Sequence, residues 1–178
     1  MTIEEATLAG GCFWCLEAVY EQVRGVERVT SGYTGGSVDN PSYQLVCSGT
    51  TGHAEAVRLA YDAEVVSFAE LVELFFTMHD PTTLNRQGGD VGTQYRSAVF
   101  FHDDAQRTVA EEIIAKLGAQ GVWAQPIVTE VVPLTNFFDA EDYHKEYFRR
   151  NRDLPYCQVV IEPKIAKLRM EHLEALKA

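Results

Sequence analysis

The stretch from Gly10 to Gly25, GGCFWCLEAVYEQVRG, joins a glycine pair to a helical pattern. Its apolar residues recur every three or four positions, as on one face of a helix, at Phe13, Leu16, Val19, Tyr20 and Val23. The pattern predicts a helix over 12–24 that ends at Gly25, preceded by the end of a strand over 7–10. The two glycines allow a close approach to the backbone, and Cys12 falls in the first turn of the helix.

The rest of the chain alternates between strand and helix patterns around two long polar segments. Strands are predicted over 26–33, 53–61, 97–101, 127–134 and 158–161. Helices are predicted over 67–78, where Ser67 and Glu70 form a capping box, and over 104–117, 140–150 and 163–178. The segments 37–52 and 80–95 are predicted to be loops, and long ordered loops often carry function. This mixture predicts an α/β (α+β) fold.

The length of 178 residues fits a single domain over 1–178, with residues 163–178 forming a helix packed on its body. This helix is expected to pack through its apolar positions, which are Ile165, Leu168, Leu173 and Leu176. The hydrophobic share of 46% is enough for a packed core.

The net charge of -11 argues against nucleic acid and anionic membranes as partners, because both bind basic surfaces. Neither a secretory signal nor an apolar stretch of membrane-spanning length is visible, so a cytoplasmic location is expected. Cysteines are kept reduced there, so the four cysteines are expected to be catalytic, metal-binding or core residues rather than structural disulfides.

Cys12 is the first candidate for chemistry. The free N–H groups and the dipole of a helix start favour a thiolate, so we expect a lowered pKa for Cys12. One alternative is a buried structural cysteine. A second is a zinc site, but the sequence supplies a single CxxC pair where about four ligands are needed, and no metal or cofactor is expected. A third is a dithiol–disulfide oxidoreductase that uses Cys12 and Cys15 as a redox pair.

Four residues in or near the predicted loops have acidic or phenolic side chains, namely Tyr43, Glu55, Asp90 and Tyr95. Each alone is typical of packing, of a turn or of a solvent-facing strand position. Together they favour a site that stabilises negative charge on a substrate oxygen. A carboxylic acid kept protonated by burial can donate a hydrogen bond, phenols can add others, and a thiolate would face them.

Four long motifs together resemble the A-type peptide methionine sulfoxide reductases, and the match extends over about 7–161. The motifs are GGCFWCLEAVYEQVRGVERVTSGYTGG, NPSYQLVCSGTTGHAEAV, QGGDVGTQYRS and AEDYHKEYF. The resemblance implies a two-layer sandwich with a ferredoxin-like core and long functional loops. It also implies thiol-dependent reduction of methionine-S-sulfoxide, free or in proteins, as a repair reaction after oxidative damage.

The resemblance implies a role for each candidate residue of the catalytic site. Cys12 is expected to attack the sulfoxide sulfur, which releases methionine and leaves a sulfenic acid on the cysteine. Glu55 is expected to protonate or hydrogen-bond the sulfoxide oxygen, and Tyr43 and Tyr95 are expected to share that task. Asp90 is expected to support the substrate-binding network.

Phe13 and Trp14 match the aromatic pair that forms an apolar wall for the substrate methyl group. A methyl slot contributes only about 1–3 kcal/mol of discrimination. Stereoselectivity is therefore expected to come from fixing the methyl group and the oxygen at the same time.

A second thiol must resolve the sulfenic acid on Cys12, and two cysteines are candidates for this role. The commonest family motif has glycine where this chain has Cys15. Cys157 stands where many family members place a resolving cysteine and is preferred, with Cys15 as the alternative, whereas Cys47 is expected to be passive. The resulting disulfide is expected to be reduced by a thioredoxin-like partner. We expect the chain to act as a monomer.

Overall fold

A computed structural model describes all 178 residues, and its centre is a six-stranded sheet. The strands are β1 (Ile3–Gly10), β2 (Val26–Thr34), β3 (Ala54–Asp62), β4 (Arg86–Gln87), β5 (Asp90–Val91), β6 (Ser97–Phe101), β7 (Glu130–Pro133) and β8 (Phe138–Asp139). The α-helices are α1 (Phe13–Tyr20), α2 (Tyr43–Cys47), α3 (Phe68–Met78), α4 (Asp104–Ala119), α5 (Tyr147–Arg150) and α6 (Glu162–Glu171). None of the helices combines the length and apolar character that crossing a membrane requires.

The sheet has the order β7-β6-β1-β3-β2-β8, and a separate hairpin pairs β4 with β5. Its four central strands, β6, β1, β3 and β2, are antiparallel to one another and follow the chain order β1-α1-β2-β3-α3-β6, whereas the edge strand β7 pairs with β6 in parallel. This split βαβ arrangement is the ferredoxin-like topology. The prediction of an α/β fold with a ferredoxin-like core is therefore confirmed.

Alternation along β3 decides which side chains meet the helices. Val57 and Leu59 belong to the large core cluster, which contains the buried residues of α1 and α3. Ala54 and Ala56 belong to a smaller cluster on the other face. Because successive side chains of a strand point to opposite faces, Glu55 shares the helix-bearing face with Val57.

Both glycines at the junction of β1 and α1 are required by packing. A Cβ on Gly10 would lie 2.8 Å from Cε1 of Phe75, and one on Gly11 would lie 2.7 Å from Cγ of Gln87. Gly11 also has a φ of +96°, in the left-handed region that disfavours other residues. The turn makes Cys12 the N-cap residue of α1, where its side chain forms no capping hydrogen bond.

The helix that begins after Cys12 is shorter than predicted, because it ends at Tyr20 rather than Arg24. The backbone beyond it bonds instead to the end of the chain. Arg24 N–H donates to the carbonyl of Ala175 at 2.8 Å, and Lys177 N–H donates to the carbonyl of Gln22 at 2.8 Å. A contact with residues so distant in sequence leaves no periodic signal in the local pattern.

The predicted strand over 158–161 is wrong. Residues Cys157–Ile161 form a π-helical turn that continues into α6, which ends at Glu171 and is followed by a 3₁₀ turn. A short apolar run does not distinguish a strand from a helical segment. Ile165 and Leu168 are buried as predicted, whereas Leu173 is 70% exposed and does not pack on the body.

The predicted helix over 140–150 is also wrong. A 3₁₀ turn over Asp142–His144 is separated from α5 by Glu146, whose φ of 52° lies in the left-handed region and breaks the helix. The two long loops contain short elements. The first holds α2, and the second holds the β4–β5 hairpin and a 3₁₀ turn at Thr93–Tyr95.

Candidate active site

Glu55 lies on β3, and its fully buried carboxyl group contacts the start of α1. Its Oε1 atom accepts a hydrogen bond from the N–H of Phe13 at 3.2 Å, whereas its buried Oε2 atom has no hydrogen-bond partner. Burial raises the pKa of Glu55 to about 8, and the charges of Asp90 and Cys15 add to this effect. Glu55 is therefore protonated at neutral pH, and its free oxygen Oε2 is the atom placed to carry the proton.

Cys12 and Cys15 are neighbours in the first turn of α1, where the N–H of Cys15 donates to the carbonyl of Cys12 at 3.1 Å. Burial raises the pKa of Cys12 well above its ordinary value, and both Cys15 and the charge of Glu55 raise it further. The predicted lowering of this pKa is wrong, because removal from water opposes a thiolate more than the helix start supports it. The neighbouring thiol of Cys12 lowers the pKa of Cys15 to about 7.

Tyr43 and Tyr95 approach Glu55 from the two long loops and are half-buried. The backbone N–H of Tyr43 donates to Oε2 of Glu141 at 3.0 Å, which ties the start of α2 to the segment before α5. Burial raises the pKa of both phenols, and the charge of Glu55 raises each further. Both phenols therefore remain protonated and able to donate hydrogen bonds near Glu55.

Asp90 lies on the β4–β5 hairpin and is joined to the cysteine pair through a tyrosine. The phenol of Tyr156 donates to Oδ2 of Asp90 at 2.7 Å and lies 3.8 Å from the sulfur of Cys15. The charge of Asp90 also raises the pKa of Glu55, so the hairpin borders the same site.

The aromatic wall consists of Phe13 and Trp14. Phe13 is fully buried and stacks on Tyr43, with 6.3 Å between ring centroids. Trp14 is half-buried and is held at two points. Its indole N–H donates to Nδ1 of His144 at 2.9 Å, and its ring stacks on Tyr147 at 3.7 Å and 5°. Because Nδ1 of His144 accepts this bond, the neutral imidazole carries its proton on Nε2, a buried atom without a partner.

The other two cysteines occupy different environments. Cys157 is fully buried at the start of the π-helical turn, and burial and the charge of Cys15 raise its pKa. Cys47 is exposed at the end of α2, the helix that begins at Tyr43. All four cysteines are free thiols.

The structure thus brings together the predicted residues Cys12, Tyr43, Glu55, Asp90 and Tyr95. It adds residues to which the sequence reasoning assigned no role, namely Glu141, His144, Tyr147 and Tyr156. The motif AEDYHKEYF was the only signal for the first three, and nothing local indicated that they would contact α1.

Comparison with known proteins agrees with this geometry. A family model described as peptide methionine sulfoxide reductase matches residues 4–177. The peptide methionine sulfoxide reductase MsrA of Chromobacterium violaceum is 54% identical over 167 residues, which cover 94% of this chain and 95% of the relative. The reduced-form crystal structure of Mxr1 from Saccharomyces cerevisiae has a TM-score of 0.82 and 37% identity, and covers 87% of this chain and 89% of its own. A structure of Mxr1 in complex with Trx2 has a TM-score of 0.59 and 28% identity, covering 82% and 84%.

Proposed function

Because the chain belongs to the peptide methionine sulfoxide reductase family, we propose that it reduces methionine-S-sulfoxide, free or in proteins, to methionine. The observation that carries the proposal is the buried carboxyl of Glu55, protonated at neutral pH, with its unpartnered oxygen Oε2 in the same site as Cys12. A preorganised donor in a dry site stabilises the negative charge that develops on a sulfoxide oxygen.

In the first step the sulfur of Cys12 attacks the sulfoxide sulfur, and the proton of Glu55 moves to the sulfoxide oxygen. The hydroxyl group then moves from the substrate sulfur to the Cys12 sulfur while the bond between the two sulfurs breaks, so that methionine leaves and Cys12 becomes a sulfenic acid. The thiol proton of Cys12 replaces the one that Glu55 lost. The substrate sulfur gains two electrons and the cysteine sulfur loses two, so the step is balanced.

The neighbouring side chains orient the substrate for this step. Tyr43 and Tyr95 donate hydrogen bonds to the same oxygen, and each such donor contributes about 2–4 kcal/mol to transition-state stabilisation. Asp90 supports the substrate-binding network by holding Tyr156. The half-buried ring of Trp14 offers the apolar surface for the methyl group, with Phe13 buried behind it.

The sulfenic acid is then resolved by a second thiol. Cys157 and Cys15 both remain candidates. The N–H of Cys15 donates to the carbonyl of Cys12 at 3.1 Å, so the two cysteines share the first turn of the helix, and this supports Cys15 as the first partner. In the reduced chain the pKa of Cys15 is lowered to about 7, which favours its thiolate. The sulfur of Cys15 attacks the sulfur of the sulfenic acid, a disulfide forms, and the hydroxyl group leaves as water with the proton that the Cys15 thiol gives up.

Peptide mapping after one equivalent of methionine-S-sulfoxide, without added reductant, tests the order of resolution. We expect Cys12–Cys15 to be the first disulfide to form. The Cys15→Ser variant should instead accumulate the sulfenic acid or a Cys12–Cys157 disulfide. A wild-type chain whose first disulfide is Cys12–Cys157 would contradict the assignment of Cys15.

A thioredoxin-like dithiol would complete the cycle by exchange with the disulfide. The complex of the similar yeast protein Mxr1 with Trx2 supports this class of reductant. We propose a monomer that acts in the cytoplasm, where reductants of this class keep thiols reduced. Size-exclusion chromatography of the purified chain checks the monomer.

Turnover of racemic free methionine sulfoxide with dithiothreitol tests the proposed function. We expect half of the substrate to be consumed and the remainder to be the R epimer. Consumption of both epimers at equal rates, or of neither, would contradict the proposal. The alternative, a general dithiol–disulfide oxidoreductase that uses Cys12 and Cys15, predicts reduction of insulin disulfides without sulfoxide turnover.

A further inference from the structure

Glu17 is a buried carboxyl group in α1 that the proposed reaction does not use. It is 3% exposed, and no lysine or arginine lies within ion-pair distance of it. Its Oε1 atom accepts the backbone N–H of Tyr147 at 3.1 Å, and the hydroxyl of Ser31 donates to Oε2 at 3.4 Å. Burial raises the pKa of Glu17 to about 7, and the backbone N–H groups of Glu146 and Tyr147 oppose this rise. A buried acid costs free energy unless hydrogen bonds replace its lost water, so its bond to the N–H of Tyr147 is important to both partners.

The segment that Glu17 holds has little support of its own. The four-residue helix α5 begins at Tyr147, and its N-cap residue, Glu146, makes no side-chain capping bond and has a left-handed backbone. Such a short helix is not stable without tertiary contacts. The carboxyl group of Glu17 therefore supplies the acceptor that fixes the backbone at Tyr147.

The ring of Tyr147 connects this anchor to the substrate wall. It stacks on Trp14 at 3.7 Å and 5°, and Trp14 lies one turn before Glu17 on the same helix. Two residues of α1 therefore contact Tyr147. Glu17 accepts a hydrogen bond from its backbone, and Trp14 packs against its ring. A shift of the backbone at 147 would tilt the surface on which the indole rests.

We propose that Glu17 is a positioning residue that sets the orientation of Trp14 through the backbone of Tyr147, and so sets how tightly the sulfoxide side chain is bound. The inference rests on the proposed function, because its main readout is the binding of a sulfoxide. It assigns Glu17 no contact with the substrate and no part in proton transfer.

Steady-state kinetics of three variants with methionine-S-sulfoxide separate positioning from general damage. Glu17→Ala is expected to raise KM by about tenfold and to leave kcat within about twofold, because ground-state and transition-state binding are lost equally. Glu17→Gln keeps an acceptor for the Tyr147 N–H and should restore KM to within about threefold of wild type. Glu112→Ala, the same replacement at an exposed residue of α4, is the matched control and should change neither constant. Loss of kcat with unchanged KM in Glu17→Ala, or no rescue in Glu17→Gln, would overturn the inference.

A double-mutant cycle with Tyr147→Leu tests the route through Tyr147. If Glu17 acts through this ring, Glu17→Ala should change KM by less than about twofold in the Tyr147→Leu background. An effect as large as in the wild-type background would overturn the inference. Far-UV circular dichroism of each variant checks that it is folded, so that a change in KM is not confused with loss of stability.

Trp14 fluorescence gives a readout that needs no substrate. In a Trp123→Phe background, Glu17→Ala should shift the Trp14 emission to the red, whereas Glu17→Gln should not. The same emission in both variants would overturn the inference. Absence of sulfoxide turnover by the wild-type chain would instead contradict the proposed function. The fluorescence measurement would still test whether Glu17 sets the orientation of Trp14.

Discussion

Replacement of Cys12 by serine is expected to lower kcat for methionine-S-sulfoxide by at least about a thousandfold, as the loss of a nucleophile does in other enzymes. A serine hydroxyl in this buried site remains protonated and cannot accept the sulfoxide oxygen as a sulfenic acid. The measurement is methionine release with dithiothreitol as the reductant.

Cys47→Ser is the matched control, because it makes the same replacement at an exposed cysteine on the rim of the site. Its kcat should stay within about twofold of wild type, as is usual for a surface substitution. If Cys12→Ser kept a tenth of the wild-type rate or more, the assignment of Cys12 as the nucleophile would be wrong.

Replacement of Glu55 by alanine is expected to lower kcat by about 10²–10³-fold, the usual cost of removing a donor to a developing oxyanion. Glu55→Gln keeps a donor group in the same place but cannot transfer a proton. It should therefore lose about 10²-fold in kcat, the lower part of what proton transfer contributes. A rate for Glu55→Ala within threefold of wild type would contradict the role of this acid.

The pH dependence gives the same assignment a second test. The pKa of Glu55 is raised to about 8, so the protonated form that donates is lost as the pH rises through this value. The rate should therefore fall above about pH 8 in the wild type, and the Glu55→Gln variant should lack this fall.

A group with a raised pKa in the folded state stabilises the fold most below its unfolded pKa and loses that contribution as the pH rises through its folded pKa. Glu55→Gln should consequently melt at a higher temperature than the wild type at pH 9. A higher melting temperature also shows that a lost rate in this variant does not come from unfolding.

Much of the fold follows from local patterns. The helical spacing after Cys12, the capping box at Ser67 and the alternation of β3 each predict an element that the structure contains. The predicted elements are wrong where contacts between residues distant in sequence determine the local structure. The run at 158–161 becomes helical rather than a strand, and 140–150 is broken at the left-handed Glu146.

The candidate site was predictable to a similar extent. The acid and phenols were found because glycine-rich loops and a strand end carry unusual side chains. The contacts of His144 with Trp14 and of Tyr147 with Glu17 join residues that are 130 positions apart, so they leave no local trace. The pKa of Cys12 was misjudged because a helix start is visible in a sequence, whereas the burial that opposes it depends on the whole fold.

The central claim is that Cys12 takes the sulfoxide oxygen. A Cys15→Ser/Cys157→Ser double variant removes both candidate resolving thiols, so the oxidised cysteine should persist. One equivalent of methionine-S-sulfoxide without reductant, followed by dimedone and peptide mapping, should yield one methionine per chain and a dimedone adduct on Cys12. Methionine release without an adduct on Cys12, or an adduct on Cys47 instead, would contradict the account.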